Sequence, residues 1–409
     1  MPSQNINISN YNYQLPEEKI ALFPCKNRDE SKLLVYKNGI ISESVFKYIS
    51  DYLDNDSMLV FNNTKVIHAR IVCFKPTGSR IEVFCLEPLF PSSLHTLAFE
   101  AKGCCEWKCF IGNNKRFTVP LSLKFNHKGE NGILHIKKME ARNDASFRVQ
   151  FSWNLQELSF AEVLESVGKI PLPPYIQRDT TKEDMLRYQT VFAKEKGSVA
   201  APTAGLHFTT GVLKKIKSKN IPLTHITLHV GAGTFRPVAE TFIENHAMHS
   251  EQLFFTKETI RKLANCKDKK IIAVGTTTAR ALESLYWIGV KLNTSLNSSS
   301  MGEFFHISQW EVYEDLISKQ QTVEQSLKTV LKYLKNNNLD ILHASTALMV
   351  TPYYQPKMVK GIITNFHQPQ STLLLLISSF VGDKWKEIYD YALSHDFRFL
   401  SYGDACLFL

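Results

Sequence analysis

The sequence predicts an α/β protein interrupted by a small antiparallel β-barrel, and three observations lead there. Beyond Trp153, short apolar runs alternate with helical segments, the pattern of an α/β layer or barrel. Between Val66 and Trp153 the texture is instead a two-residue alternation with regularly spaced turns. A length of 409 residues suits two domains, and 44% apolar with 21% charged residues suits a chain that buries a real core. The expected division is residues 1–65 with 154–409 as the main domain and 66–153 as the insert.

The elements follow in order. Lys37-Asn38-Gly39 lies between Leu33-Leu34-Val35 and Ile40-Ile41, and Asn-Gly between apolar runs signals a hairpin. Met58-Leu59-Val60-Phe61 reads as a buried strand ending in the polar turn Asn62-Asn63-Thr64. In the insert, Ile81, Val83 and Cys85 alternate with polar neighbours, as do Phe147, Val149 and Phe151. Glu157 to Val167 reads as a helix, with Gly168 as a left-handed cap. Strands are then expected at Thr224 to Val230, Lys270 to Val274 and Val359 to Thr364. Helices are expected near Val212 to Lys219, Thr256 to Ala264, Ala279 to Ile288, Val323 to Leu334 and Lys384 to Leu393.

Composition narrows the function. Lys plus Arg exceed Asp plus Glu by 48 − 39 = 9, which favours an anionic partner such as nucleic acid, or serves solubility alone. The longest apolar run, Leu373 to Ile377, is far short of the roughly 20 residues of a membrane span. Met1 to Asn5 has neither a basic nor an apolar stretch, so no signal peptide is expected. The eight cysteines contain no C-x-x-C pair, and Cys105, Trp107 and Cys109 share one strand face as core rather than as metal ligands. Reduced thiols and a cytoplasmic protein are expected.

Five polar loops at like positions after strands carry the candidate chemistry, since α/β folds bind ligands at the carboxyl ends of strands. They are Ala200 to Thr209, His229 to Pro237, Met248-His249-Ser250-Glu251, Val274 to Arg280 and Thr364 to Thr372. Taken alone, the first is an ordinary turn with a helix cap. In the second, Gly231-Ala232-Gly233 opens like a dinucleotide fingerprint, but Arg236 replaces the third glycine and Pro237 follows, so no helix N-terminus meets a pyrophosphate. His249 and Glu251 share a face if extended, suiting proton transfer or a solvated pair. The Gly275 to Thr278 turn offers amides to a carboxylate or phosphate, while Arg280 and Glu283 at i, i+3 can pair with each other.

Read together, these loops resemble the S-adenosylmethionine:tRNA ribosyltransferase-isomerases of queuosine biosynthesis. The same family pattern fits Val60 to Ile67, Leu172-Pro173-Pro174-Tyr175-Ile176, Tyr188 to Ala193, Ser371-Thr372-Leu373-Leu374 and Arg398 to Ala405, in order and nearly end to end. The resemblance implies a distorted α/β-barrel-like main domain with an inserted small antiparallel β-barrel. It implies that S-adenosylmethionine donates its ribosyl group to 7-aminomethyl-7-deazaguanine at the tRNA wobble position, giving epoxyqueuosine-tRNA, adenine and methionine. S-adenosylmethionine is then consumed as a substrate, with no prosthetic group and no metal. The partners are a tRNA with a queuosine-type anticodon and S-adenosylmethionine, with no membrane, and the chain is expected to be a monomer.

Within that resemblance, His207, His229 or Glu251 handles the proton, because imidazole and carboxylate can act near neutral pH. Thr203, Gly205, Gly231, Gly233, Thr234, Phe235 and His249 are assigned to S-adenosylmethionine. So are Gly275, Thr276, Thr277, Arg280, Asn365 and His367. Asn62, Asn63 and Arg70 are assigned to the base or the anticodon backbone. The chain departs from the family at Val350-Thr351-Pro352-Tyr353-Tyr354, at Gln370 where a Lys is common, and in a long segment from about 293 to 343. An oxidoreductase would need the rejected glycine fingerprint, and a methyltransferase an acidic strand-end Gly-x-Gly loop. A simple RNA-binding protein leaves the five loops without a task.

Overall fold

The computed structural model describes residues 5–75, 77–142, 145–231, 238–266, 268–294 and 304–409. Lys32–Lys37 (β1) and Ile40–Val45 (β2) form the expected hairpin. Asn38 and Gly39 turn it with φ of 53° and 81°, values that Asn-Gly tolerates. Ser57–Asn62 (β3) is buried at every position. Met58 and Val60 enter one core and Leu59 and Phe61 another. A strand covered on both faces needs an unbroken apolar run, which is what the sequence has there.

Thr64–Val66 (β4) leads to Arg70–Phe74 (β5), Arg80–Phe90 (β6) and Cys104–Gly112 (β7). Leu121–His127 (β8), Glu130–Ala141 (β9) and Phe147–Trp153 (β10) follow, then the short Gly168–Lys169 (β11) and Glu195–Ser198 (β12). The later strands are Leu223–His229 (β13), Glu251–Thr256 (β14), Lys270–Val274 (β15) and Phe305–Ile307 (β16). Ile341–Thr346 (β17), Val359–Asn365 (β18) and Ala405–Phe408 (β19) complete them. The helices are His95–Phe99 (α1), Phe160–Val167 (α2), Asp184–Arg187 (α3), Thr210–Ser218 (α4) and Lys257–Asn265 (α5). Thr276–Thr294 (α6), Glu311–Glu314 (α7), Val323–Asn336 (α8), Thr372–Val381 (α9) and Trp385–Ser394 (α10) follow.

Among the described residues the architecture is mixed α/β, with one large sheet and one curled antiparallel sheet. The large sheet has the order β16-β17-β14-β13-β3-β15-β18-β19-β1-β2. Its centre, β13-β3-β15-β18, is parallel. Helix α6 packs on one face and is buried from Thr276 through Val290, its threonines, Arg280, Glu283 and Ser284 included. Helix α4 covers the other face through Val212 and Ile216. The second sheet has the order β11-β5-β6-β7-β10-β9-β8, and α2 packs against both edge strands, β8 and β11. Phe160 of α2 plugs that curl against Trp107, Phe151 and Trp153. Cys105, Trp107 and Cys109 are fully buried there.

Two local expectations change. The helix ending at Val167 starts at Phe160 rather than Glu157, because Ser159 and Glu162 form a capping box. Gly168 is extended, with φ −88° and ψ 168°, and not left-handed. Its role is close packing, since a Cβ would lie 2.0 Å from the His68 carbonyl oxygen. No helix among the described residues is long and apolar enough to cross a membrane.

Candidate active site

The site is organised by the end of β13. The Asn62 side chain ties β3 to it, with Nδ2 donating to the Leu228 carbonyl at 2.9 Å and Oδ1 accepting from Leu228 N at 3.1 Å. Ser198 Oγ accepts from Val230 N at 2.9 Å, which ties the end of β12 to the same segment. Side chains here alternate across the backbone. His229 and Gly231 therefore face one hollow and Val230 another.

The larger hollow measures about 530 Å³, within the usual range for small-molecule sites. It lies where the two sheets meet. His229 and Glu251 come from β13 and β14 of the main sheet, with Gly231 and His249 in the loops beside them, and His95 comes from α1 and Lys108 and Phe110 from β7 of the insert. The His229 ring is clamped: its Nδ1 is 2.9 Å from Thr64 Oγ1, and Gly197 lies so close that a Cβ there would meet the ring at 2.4 Å. Its Nε2 is buried without a hydrogen-bond partner. Burial, and then the neighbouring His95, pull its pKa down to about 3, so the ring is neutral. Glu251 forms a buried ion pair with Arg280, while Glu283 is occupied elsewhere by Tyr354 Oη and the amides of Lys357, Met358 and Val359. Arg280 therefore pairs with Glu251 and not with Glu283, the partner its i, i+3 spacing suggested.

The smaller hollow, about 90 Å³, lies on the other side of Val230. Thr203, Gly275, Thr276, Thr277, Asn365 and His367 line it. Gly275, with φ 96°, accepts the first helical bond of α6 from Ala279 N at 3.1 Å. It has no side chain to cap the first-turn amides. The His367 Nε2 is 2.9 Å from Thr364 Oγ1, and burial lowers its pKa to about 3.

His207 stands behind this hollow. Its Nε2 receives a hydrogen bond from Asn365 Nδ2 at 3.0 Å, and its Nδ1 is 2.8 Å from Ser31 Oγ. An amide nitrogen only donates, so Nε2 accepts and Nδ1 carries the hydrogen. Burial and the nearby Arg398 and Arg28 lower its pKa to about 3. With both nitrogens engaged, His207 is a scaffold that orients Asn365, which corrects its assignment as a proton carrier.

The expected residues thus divide between two neighbouring hollows rather than sharing one. Several serve the framework instead of a ligand. Gly205 is needed for packing, since a Cβ would lie 2.8 Å from Thr190 Cγ2 and 2.9 Å from Phe192 Cζ. The Asn62 amide is consumed within the sheet, and Asn63 Oδ1 accepts from Thr227 Oγ1 at 2.7 Å. Arg70 pairs with Glu82 in the inserted sheet and lines neither hollow. Gly233, Thr234 and Phe235 lie outside the described residues. Sequence reasoning missed His95, which is buried, has no partner at Nδ1 and lies 5.8 Å from His229, ring centre to ring centre, at a tilt of 45°. No local spacing could flag it, because its importance depends on how the insert folds onto the main sheet.

Fold and site together define an α/β protein with a small-molecule cavity at the junction of a main sheet and an inserted antiparallel sheet. The chain belongs to the queuosine biosynthesis protein family, whose model matches residues 8–408. A relative from Halothermothrix orenii named S-adenosylmethionine:tRNA ribosyltransferase-isomerase is 37% identical over 98% of this chain and 99% of its own. A relative of the same name from Nitratiruptor sp. is 35% identical over 99% of each. A crystal structure of an S-adenosylmethionine tRNA ribosyltransferase from Thermotoga maritima is 26% identical, with a TM-score of 0.45, over 98% of this chain and 100% of that one.

Proposed function

We propose that this chain is an S-adenosylmethionine:tRNA ribosyltransferase-isomerase, acting on 7-aminomethyl-7-deazaguanine at the wobble position of tRNA. The observation that carries this is the end-to-end match to relatives of that name. In this reading the sulfonium acidifies the C5′ protons of the ribose, and a buried base removes one. Loss of adenine opens the sugar, the aminomethyl nitrogen of the tRNA base attacks, and epoxide closure expels methionine. The inserted unit, residues 66–153 together with α2 and β11, forms one wall of the reaction chamber. The chain works as a cytoplasmic monomer, and S-adenosylmethionine is spent rather than kept as a cofactor.

His229 is the base in this scheme. The Thr64 hydroxyl can donate to the Glu195 carbonyl at 3.5 Å, which leaves its oxygen to accept from Nδ1–H. The lone pair then sits on Nε2, at the wall of the larger hollow. Holding two substrates in register there can supply about 7–11 kcal/mol of the barrier. For His229→Ala, the expected outcome is loss of turnover with S-adenosylmethionine binding retained. Turnover at the unmutated rate would remove His229 from the role.

A further inference from the structure

The smaller hollow is lined by hydroxyl, amide and imidazole groups yet has no charged side chain among its lining residues. The start of α6 meets it through Gly275, Thr276 and Thr277, and the start of α9 through Ser371, Thr372 and Leu373. Two helices of 19 and 10 residues thus point their positive ends at one small space. Such a convergence favours a carboxylate without any Lys or Arg.

A second feature lies in the wall of the same space. Asn365 is 3% exposed, and its Oδ1 has no hydrogen-bond partner. Ser31 Oγ donates to the Arg28 carbonyl at 3.3 Å and so accepts from His207 Nδ1–H, which leaves Nε2 an acceptor. Asn365 Nδ2 donates to that Nε2 at 3.0 Å and to the Asp404 carbonyl at 3.5 Å, and turning the amide would set Oδ1 against both. Leaving a buried acceptor unpaired costs about 1–3 kcal/mol, so a donor from a ligand is favoured there.

An anion-binding end and an unfilled acceptor within about 90 Å³ match a zwitterion with no net charge. We propose that this hollow is an α-amino-acid clamp. The carboxylate of the methionine moiety docks on the α6 and α9 starts, and its α-ammonium donates to Asn365 Oδ1. His207 is a positioning residue, since its tautomer sets which face of the Asn365 amide meets the ligand. The nucleoside portion then extends past Val230 into the larger hollow. The assignment rests on the ribosyl-transfer reading for the identity of the amino acid, and it refines that reading by separating the two ends of the donor.

The test is calorimetric binding to the full chain of S-adenosylmethionine, its analogue lacking only the α-amino group, and its decarboxylated analogue. The expected result is that the unmutated protein binds each analogue roughly tenfold to a hundredfold more weakly, the worth of a charge-assisted hydrogen bond. Asn365→Leu should close the gap between S-adenosylmethionine and the deaminated analogue. Asn365→Asp, which keeps an acceptor oxygen and adds a negative charge once His207 moves its hydrogen to Nε2, should preserve or widen it. Equal binding of all three ligands by the unmutated protein would overturn the clamp, as would an undiminished gap in Asn365→Leu. If the preferences hold but adenine is never released with precursor tRNA, the transferase reading falls and the clamp stands. Adenine release without the preferences has the reverse meaning.

Discussion

At the scale of single residues, the proposed role of His229 as base rests on how its ring is held. Its ring is fixed from one side by Thr64 and from another by the bare backbone of Gly197. Gly197 has φ 155°, and a methyl group there would overlap the imidazole at 2.4 to 2.6 Å. Gly197→Ala is therefore expected to displace the ring without removing any reacting group. A misplacement near 1 Å can cost about a hundredfold in rate, so kcat should fall on that order while S-adenosylmethionine affinity changes little. Steady-state kinetics with calorimetry would check this, and an unaltered kcat would show that the ring is not constrained as described.

Individual residues also mark the limit of what the sequence discloses about the site. The loops rich in threonine, glycine and histidine were legible because strand ends collect ligands in α/β folds. The roles of particular histidines were not. His207, His229 and His367 look alike in sequence, yet one has both nitrogens engaged and another keeps Nε2 unpartnered. That difference comes from Ser31, Thr64 and Asn365, which are far apart in the chain and adjacent only after folding.

At the scale of elements, α6 is the organising helix, and its contact with α8 is unusually close. A Cβ on Gly289 would lie 2.1 Å from Ser326 Oγ and 2.4 Å from its carbonyl oxygen. Gly289→Ala should push the two helices apart and destabilise the protein by about 1–3 kcal/mol, the usual cost of overpacking. Gly211→Ala on α4, whose added Cβ would meet only Thr209 Oγ1 at 3.6 Å, should be neutral or slightly stabilising. Thermal denaturation of the pair separates packing from helix propensity, and equal melting temperatures would refute the close contact.

Elements were also where the sequence read most clearly. The β1–β2 hairpin, β3, β15 and β18 follow from turn chemistry and apolar runs alone. The start of α2 and the conformation of Gly168 did not, because a capping box and a close approach to His68 outweigh the simpler cap signal. Helix α6 begins at Thr276 and runs to Thr294, beyond the Ala279 to Ile288 expected. Its buried hydroxyls, such as Ser284 bonding Arg280 O and Thr346 Oγ1, disguise the core face as polar.

At the scale of the whole molecule, burying three neutral imidazoles couples folding to pH. His207, His229 and His367 each have a pKa near 3 when folded against 6.5 as the ordinary value. Below pH 6.5 the unfolded chain takes up protons that the folded chain refuses, so stability is full above that pH and is lost as pH falls toward 3. Each histidine contributes about 1.4 kcal/mol per pH unit in that window. Urea unfolding at pH 5.5 should therefore show about 4 kcal/mol less stability than at pH 7.5. Equal stability at the two values would mean that these rings are solvated or already charged.

The two sheets meet over the larger hollow, where the His95 and His229 rings are neighbours 5.8 Å apart, and in the proposed reading the insert closes one side of the reaction chamber. The central claim is that this chamber breaks S-adenosylmethionine at its ribose rather than at its methyl group. The most direct measurement follows S-adenosylmethionine labelled in both the methyl group and the adenine during incubation with tRNA bearing 7-aminomethyl-7-deazaguanine. The account predicts free adenine and labelled methionine in equal amounts, with no methyl label in the RNA. Methyl label in the RNA, or no adenine release beyond that without tRNA, would contradict it.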